Sequence, residues 1–348
     1  MKRKCSSKNH DCICEREAIG QKILVVGGWK GINETNEVID LENGKFTCPI
    51  PSVHMGSFAS GGIINGLPLV CGGQIKVEYE DNTYSNIRHC YKLQHGHWIN
   101  VHNLTRFDYA SLGTGDLVVE NQLLLSGISS YGKNSSYNEL IGLNSTSNIA
   151  DTPVAIDNHC IVRLNKTHFM SSGGDSNRTR VNWSYFYNIE TDVWSFGPLL
   201  NHARSHHGCS MITLGGVDYV FVLGDTESFG SFEYLSLSDI EAGWTIVELD
   251  EPYYYISSVT LIRQNNNTGF YIVSNKGIYD LLCDGDQSPP SCQVIDIENT
   301  RANFNSWTKT IIPIDEDLAN ELCPKLCANH SDCSGDKVSF ILEFDANM

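Results

Sequence analysis

Histidine and cysteine come together in this chain at His159-Cys160 and at His206-His207-Gly208-Cys209, among other places. Imidazole and thiolate side by side are ligands for zinc or copper. Two oxidised thiols at the same positions would instead form a bridge. No C-x-x-C spacing accompanies either pair, and the H-x-x-x-H of His202 and His206 is not joined by a further ligand motif, so no metal is expected. A Gly-rich phosphate loop, a zinc signature and a nucleophile elbow are also missing. The acids Glu78, Glu80 and Asp81 read as a solvated loop rather than as an acid–base pair. The residues therefore point to a chain without catalytic machinery and without a cofactor.

The other cysteines bear on compartment. Cys283 and Cys292 bracket the polar turn DGDQSPPS, which places them at the two feet of a hairpin within bridging reach. There are 13 cysteines, an odd number that leaves at least one free or paired outside the chain. Asn-x-Ser/Thr sites stand at Asn33, Asn103, Asn134, Asn144, Asn165, Asn177, Asn182, Asn266 and Asn329. Bridges and sequons together favour an extracellular or lumenal setting over the cytosol. The opening Met1-Lys-Arg-Lys is not followed by an apolar stretch, so no signal peptide is read here; in an extracellular setting the chain would be a processed fragment or its true start would be missing. With 24 Lys+Arg against 41 Asp+Glu, the net charge of −17 argues against nucleic acid or anionic membrane as partner. No apolar run approaches the ~18 residues that a membrane span needs.

The elements that would position these residues are set by a repeat. A short apolar run ending in a Gly-containing pair recurs at Gly27, Gly72, Ser126, Gly173, Gly224 and the worn Ser274, spaced 45, 54, 47, 51 and 50 residues apart. An aromatic or apolar landmark follows each, at Phe46, Trp98, Ile149, Trp194, Trp244 and Val294. Between them lies an alternating strand: EVIDL, HCYKL, ELIGL, YFYNI, FEYLSL and GIYDLL. Units of about fifty residues hold four short strands each, and such sheets bury their faces only by packing around an axis. Eleven Ala beside 30 Asn also argue against long helices. The fold class is all-β: a six-bladed propeller of four-stranded antiparallel blades.

The pattern of apolar run, Gly-Gly, strand, Trp and Arg resembles the kelch repeat. It is clearest in YNIETDVWSFGPLLNHARSHHGCS, with Trp194, Pro198 and Arg204 in the expected order. The resemblance covers about residues 22–315 and implies a kelch-type β-propeller. Kelch propellers include copper radical oxidases, whose copper is held by two His and two Tyr, one Tyr crosslinked to Cys. His95, His97, His159, His168, His202, His206 and His207 form no such set at matching loop positions, so that activity is not carried over. The first unit lacks an innermost strand, and Arg301–Ile312 resembles the inner strands elsewhere, so a C-terminal strand is expected to close blade 1 beside residues 22–28. Residues 1–21, with Cys5, Cys12 and Cys14, and 316–348, with Cys323, Cys327 and Cys333, fall outside the ring as cysteine-rich segments. The tail CPKLCANHSDCSGDK resembles the first half of a whey-acidic-protein module, from which no activity is transferred.

On this scaffold Cys71 and Cys90 are neighbours across a hairpin, and Cys160 and Cys209 sit on inner strands of adjacent blades. Cys48 is a candidate partner for a cysteine of the stems. Loops between second and third strands share one face with the interblade links. They carry Trp29, Tyr79, Tyr84, Tyr131, Tyr137, Trp183 and Phe229, and the links add Arg106, Arg204 and Tyr253. Tyr, Trp and Arg are the types enriched at interface hot spots. The sequence thus predicts a non-enzymatic, secreted interaction propeller that binds a protein or glycoprotein partner; an intracellular kelch adaptor is the alternative. Asn33, Asn134, Asn177 and Asn182 would place glycans on the same face.

Overall fold

The protein is an all-β ring in the computed structural model, which describes residues 4–7, 12–15, 21–27, 36–42, 45–51, 53, 59–76, 84–105, 117–119, 121–130, 133–224, 230–249, 259–264, 268–274, 277–284, 290–296 and 310–323. Six four-stranded antiparallel sheets form the blades, five of them running outward from the axis in chain order. Blade 2 is Ser60–Ile64, Leu67–Cys71, His89–Gln94 and His97–Asn103. Blade 3 is Leu117–Val119, Gln122–Ser130, Lys133–Ile141 and Thr146–Ile149. Blade 4 is Cys160–Arg163, His168–Ser172, Ser184–Asn188 and Val193–Phe196. Blade 5 is Gly208–Leu214, Val217–Leu223, Ser231–Ser236 and Thr245–Glu248. Blade 6 is Thr260–Arg263, Gly269–Ser274, Gly277–Asp284 and Ser291–Asp296. Blade 1 takes its inner strand, Thr310–Ile314, from the far end of the chain and continues with Lys22–Val26, Asn36–Asp40 and Lys45–Ile50.

Burial follows radial position. The second strand of blade 1, KILVV, is buried along its whole length because neighbouring blades cover both faces. The outer strand of blade 4, VWSF, is mostly exposed. The core is accordingly six apolar seams, one for each junction between blades. In the seam between blades 3 and 4, Val119, Leu124 and Leu140 meet Ile161, Phe169 and Tyr187. Between blades 5 and 6, Phe221 and Phe232 meet Phe270 and Leu281.

The outer-strand tryptophans add a hydrogen bond to each seam they occupy. Trp98 Nε1 donates to the Pro51 carbonyl at 2.8 Å, Trp194 Nε1 to Ala150 at 3.0 Å, and Trp244 Nε1 to Pro198 at 3.0 Å. The accepting carbonyl always lies at or just beyond the end of the preceding blade's outer strand. The same carbonyls accept from Asn36, Asn138 and Ser184 within their own blades. Each Trp therefore reads the end of one blade and fixes the next against it.

Ring closure uses four kinds of interaction. Lys22 to Val26 pairs with Ile314 to Thr310 in antiparallel register. The chain then turns into a short helix, Glu316–Leu322, whose N-cap Asp315 accepts from the Leu318 amide. Leu318 and Ala319 are buried against Leu24, Val38 and Ile50. Lys22 Nζ lies 3.2 Å from Asp40 and 3.0 Å from Glu316, and Cys48 is bonded to Cys323. Burial alone would lower the Lys22 pKa, but the two carboxylates outweigh it and hold the ammonium charged.

Candidate functional site

In each blade the loop between second and third strands and the link to the next blade emerge at one end of the ring. That end is best described at blade 4. Its loop folds back as a hairpin, Asp175–Ser176 paired with Thr179–Arg180, around Asn177 and Arg178 at φ 50° and 65°. Two residues with φ > 0 make the tight turn whose twist matches a hairpin. The flanking links bind to it: Asp157 and Asp175 exchange backbone hydrogen bonds, and Asn158 Nδ2 donates to the Asp175 carboxylate at 3.0 Å.

Beneath this hairpin the inner strands carry two copies of one arrangement. His159 Nε2 lies 3.2 Å from Ser126 Oγ, and His207 Nε2 lies 3.3 Å from Ser172 Oγ. Each serine lies on a second strand directly before a glycine, Gly127 or Gly173, and each histidine begins the next blade. The ring of His207 fits over Gly173, where an added Cβ would fall 2.6 Å from Cε1 and 2.5 Å from the Arg204 carbonyl. Gly173 also has φ +60°, so the residue is required on both counts. Ser–His pairs at this distance have the geometry of nucleophile and base. Here all four residues are buried, and neither Nδ1 has a hydrogen-bond partner among the described residues. Burial pushes His159 down to about 4. His207 falls to about 3, through burial first and then the nearby charges of Arg204, His159 and His206. Imidazoles so poorly basic and so enclosed serve packing rather than proton transfer.

The cysteines beside them are bridged, Cys160 to Cys209, tying the inner strands of blades 4 and 5. Bridged sulfur is not a thiolate ligand, and among the described residues no group of three His, Cys, Asp or Glu is placed to hold a metal. Cys71–Cys90 and Cys283–Cys292 join residues directly opposite in register within blades 2 and 6. Cys5 and Cys14 stand opposite one another in the pair Lys4–Ser7 and Cys12–Glu15. Four disulfides point to an oxidising environment.

Arg204, expected as a contact residue on the loop face, is completely buried and thus closed to a partner. Its Nε donates to Glu233 at 3.0 Å, and its terminal nitrogens bind the carbonyls of Gly224 and Ser231 and the Ser231 hydroxyl. Glu233 also accepts from the amides of Asn201 and His202. The Arg–Glu pair thus clamps the link before blade 5 to that blade's third strand. A long flexible cation in a link gave no sign in the sequence of facing inward. Its buried carboxylate, two strands away, is the element that sequence reading missed.

Trp183 is half-buried and packs with Val154 and Trp194 against Ile156, Val181 and Tyr185, which leaves it little free surface. Tyr137 is 42% exposed. Two apolar residues not singled out beforehand are more open, Phe196 at 76% and Leu199 at 58%, where the outer strand of blade 4 runs into the link. One edge of Phe196 rests on Tyr185, with ring centroids 5.2 Å apart. The alternation in VWSF, with Trp194 and Phe196 two apart, signalled a shared strand face but not which would be covered. Tyr84 lies in the short strand Tyr84–Asn86, paired with Gln74–Lys76 beyond the second strand of blade 2. Trp29, Tyr79, Arg106, Tyr131, Phe229 and Tyr253 lie outside the described residues.

Among the sequons, Asn103, Asn144, Asn165 and Asn177 are exposed. Asn182 is half-buried and its Nδ2, the atom a glycan would need, donates to the Leu200 carbonyl at 2.9 Å. Asn134 lies in the third strand of blade 3, and Asn33, Asn266 and Asn329 are outside the described residues.

No family model matches the chain, and no curated protein matches it. Among solved structures it resembles one described as the structure of YjhT, with TM-score 0.58 and 9% identity over 74% of this chain and 91% of that one. At that identity the likeness shows the fold, a β-propeller, and nothing finer.

Proposed function

We propose that the chain is a non-enzymatic interaction propeller of kelch type, secreted or lumenal, that engages a protein or glycoprotein through the loop end of blades 3 and 4. The observation that carries this reading is the exposure of Tyr137, Phe196 and Leu199 at that end of the ring. Large apolar side chains on a rigid scaffold, beside a polar hairpin, are the usual composition of a contact patch. The order of Gly173-Gly174, Trp194 and buried Arg204 around blade 4 supports kelch-type repeats, and the four disulfides support the compartment. The net charge of −17 favours a partner that tolerates or prefers an acidic surface.

The test is a cross-linking pull-down from secretory-pathway and extracellular fractions, with native protein beside the Phe196→Ser/Leu199→Ser variant. Recovery of one partner by native protein, lost in a variant that melts normally, supports the reading. Equal recovery by both proteins places the contact elsewhere and refutes it. Thiol counting without reductant addresses the alternative, since free Cys71, Cys90, Cys160 and Cys209 in native protein would favour an intracellular adaptor.

A further inference from the structure

At the opposite end of the ring, where the first and second strands of each blade turn, a cavity of about 660 Å³ opens between blades 5, 6 and 1. It is lined by Ser210 and Thr213 of blade 5, Leu261 to Gln264 of blade 6, Pro313 of the closing strand, and Gln21. The junction of blades 6 and 1 is sealed farther out, where Ile262, Val273 and Ile278 pack against Ile23, Val25 and Ile39. Toward the axis it stays open. This volume lies within the ~300–1,000 Å³ typical of ligand pockets.

The polar lining sorts into groups already engaged and groups that are not. Gln264 is buried and spent, donating to Asp280 at 2.9 Å and accepting from Thr268 at 3.2 Å. Thr213 donates to Asp218 at 2.6 Å. Gln21 bridges the junction by giving its Nε2 hydrogen to the Arg263 carbonyl at 2.9 Å, but its Oε1 is buried with no partner among the described residues. The exposed guanidinium of Arg263 and the Ser210 hydroxyl likewise have no ion pair or hydrogen bond among the described residues. Among the described residues the cavity therefore presents an exposed cation, a hydroxyl and an unmet buried acceptor.

We propose that this cavity binds a carboxylate that carries a neighbouring N–H donor. The carboxylate would sit on Arg263, whose planar fork suits it, with Ser210 donating. The adjacent N–H would supply what Gln21 Oε1 lacks, since a buried acceptor left unpaired is costly. A peptide chain end and a free N-acylated amino acid share this chemistry. The site is independent of the loop-end contact, and either can fail without the other.

N-acetylglycine and its neutral counterpart N-acetylglycinamide are titrated into the whole protein with disulfides intact, and binding is read by saturation-transfer NMR. N-acetylglycine binds and the amide does not. Arg263→Gln, an exposed change that leaves the melting temperature alone, weakens N-acetylglycine by at least about tenfold, as loss of a charge-assisted pair should. Gln21→Leu weakens it as well. Short peptides with free or amidated C-termini then identify the source: competition by the free-ended peptide alone assigns a chain end, and exclusion of both assigns the small acid. Absence of N-acetylglycine binding, equal binding of the amide, or unchanged binding by Arg263→Gln overturns the proposal.

Discussion

Lowering the pH from 7 to 5 should weaken this ring through His159 and His207. Both are fully enclosed, with folded-state values of about 4 and about 3. In the unfolded chain a histidine titrates near 6.5, so below that pH the unfolded state takes up protons that the folded state refuses. Stability is therefore complete above about 6.5 and declines as the pH falls toward the folded values. Integrated from pH 7 to pH 5, each histidine costs roughly 2 kcal/mol and the two together roughly 4 kcal/mol. The groups facing His207 are Arg204, His159, His206 and Ser172, and those facing His159 are Ser126 and the Gly127 and Gly174 backbone. None is a carboxylate that could rescue the imidazolium. Asp280, raised by burial, works in the opposite sense, because it gains a proton more readily when folded. The assay is urea unfolding at pH 7, 6 and 5 for native protein, for His159→Gln and His207→Gln, and for the double variant. Each single change should remove a large part of the slope, and the double variant should keep only the smaller part left by His102, whose pKa burial also lowers. A native midpoint unchanged between pH 7 and pH 5, or a double variant that keeps the slope, refutes the reasoning.

Arg204→Met leaves Glu233 buried without its cation and should cost about 3–5 kcal/mol, while Arg204→Met with Glu233→Leu should recover much of that loss in thermal melts. Replacing Cys48 and Cys323 by Ser releases a tie between residues 275 apart in sequence and should lower unfolding free energy by up to about 5 kcal/mol, read by urea titration without reductant. Trp194→Phe removes the donor to Ala150 but leaves Asn138 on that carbonyl, so a loss of about 1 kcal/mol beyond the packing change is expected in the same assay. By contrast Phe196→Ser should alter stability by less than about 0.5 kcal/mol, measured by melting, because most of its surface already faces solvent.

The repeat was legible because it rests on local requirements renewed every fifty residues. A buried strand needs an apolar run, its exit needs glycine, and an outer strand needs a large ring to cover the seam. Blade 3 shows how little each landmark matters alone: its outer strand has no Trp, and Ile149 at the far end of that strand packs in the seam toward blade 4. Closure by Thr310–Ile314 could be read for the same reason, since blade 1 would otherwise lack one strand. Bridges within a hairpin, such as Cys283–Cys292, follow from register, whereas Cys48–Cys323 depends on a helix whose docking no periodicity encodes.

The candidate contact residues were legible only in part, because residue type does not fix which way a side chain turns. Arg204 and Phe196 make the point in opposite directions. An arginine in a link is polar enough for solvent, yet Glu233 on the facing strand can draw it inward if every guanidinium nitrogen finds an acceptor. Three carbonyl or hydroxyl oxygens and that carboxylate meet the condition. Phenylalanine belongs inside by type, yet the outer strand of blade 4 has no further strand beyond it to cover Phe196. The corresponding position on the third strand of blade 3 is Glu139, also fully buried, accepting from the Thr105 amide and hydroxyl. Blade 4 carries Tyr185 there instead, paired opposite Ser171 as Glu139 is opposite Leu125. A buried acid at that register thus determines that the link before its blade must bring donors inward. A contact face sought on this ring belongs to the outer-strand ends that no neighbour covers, and to link residues such as Leu199 that are not drawn into those donor sets.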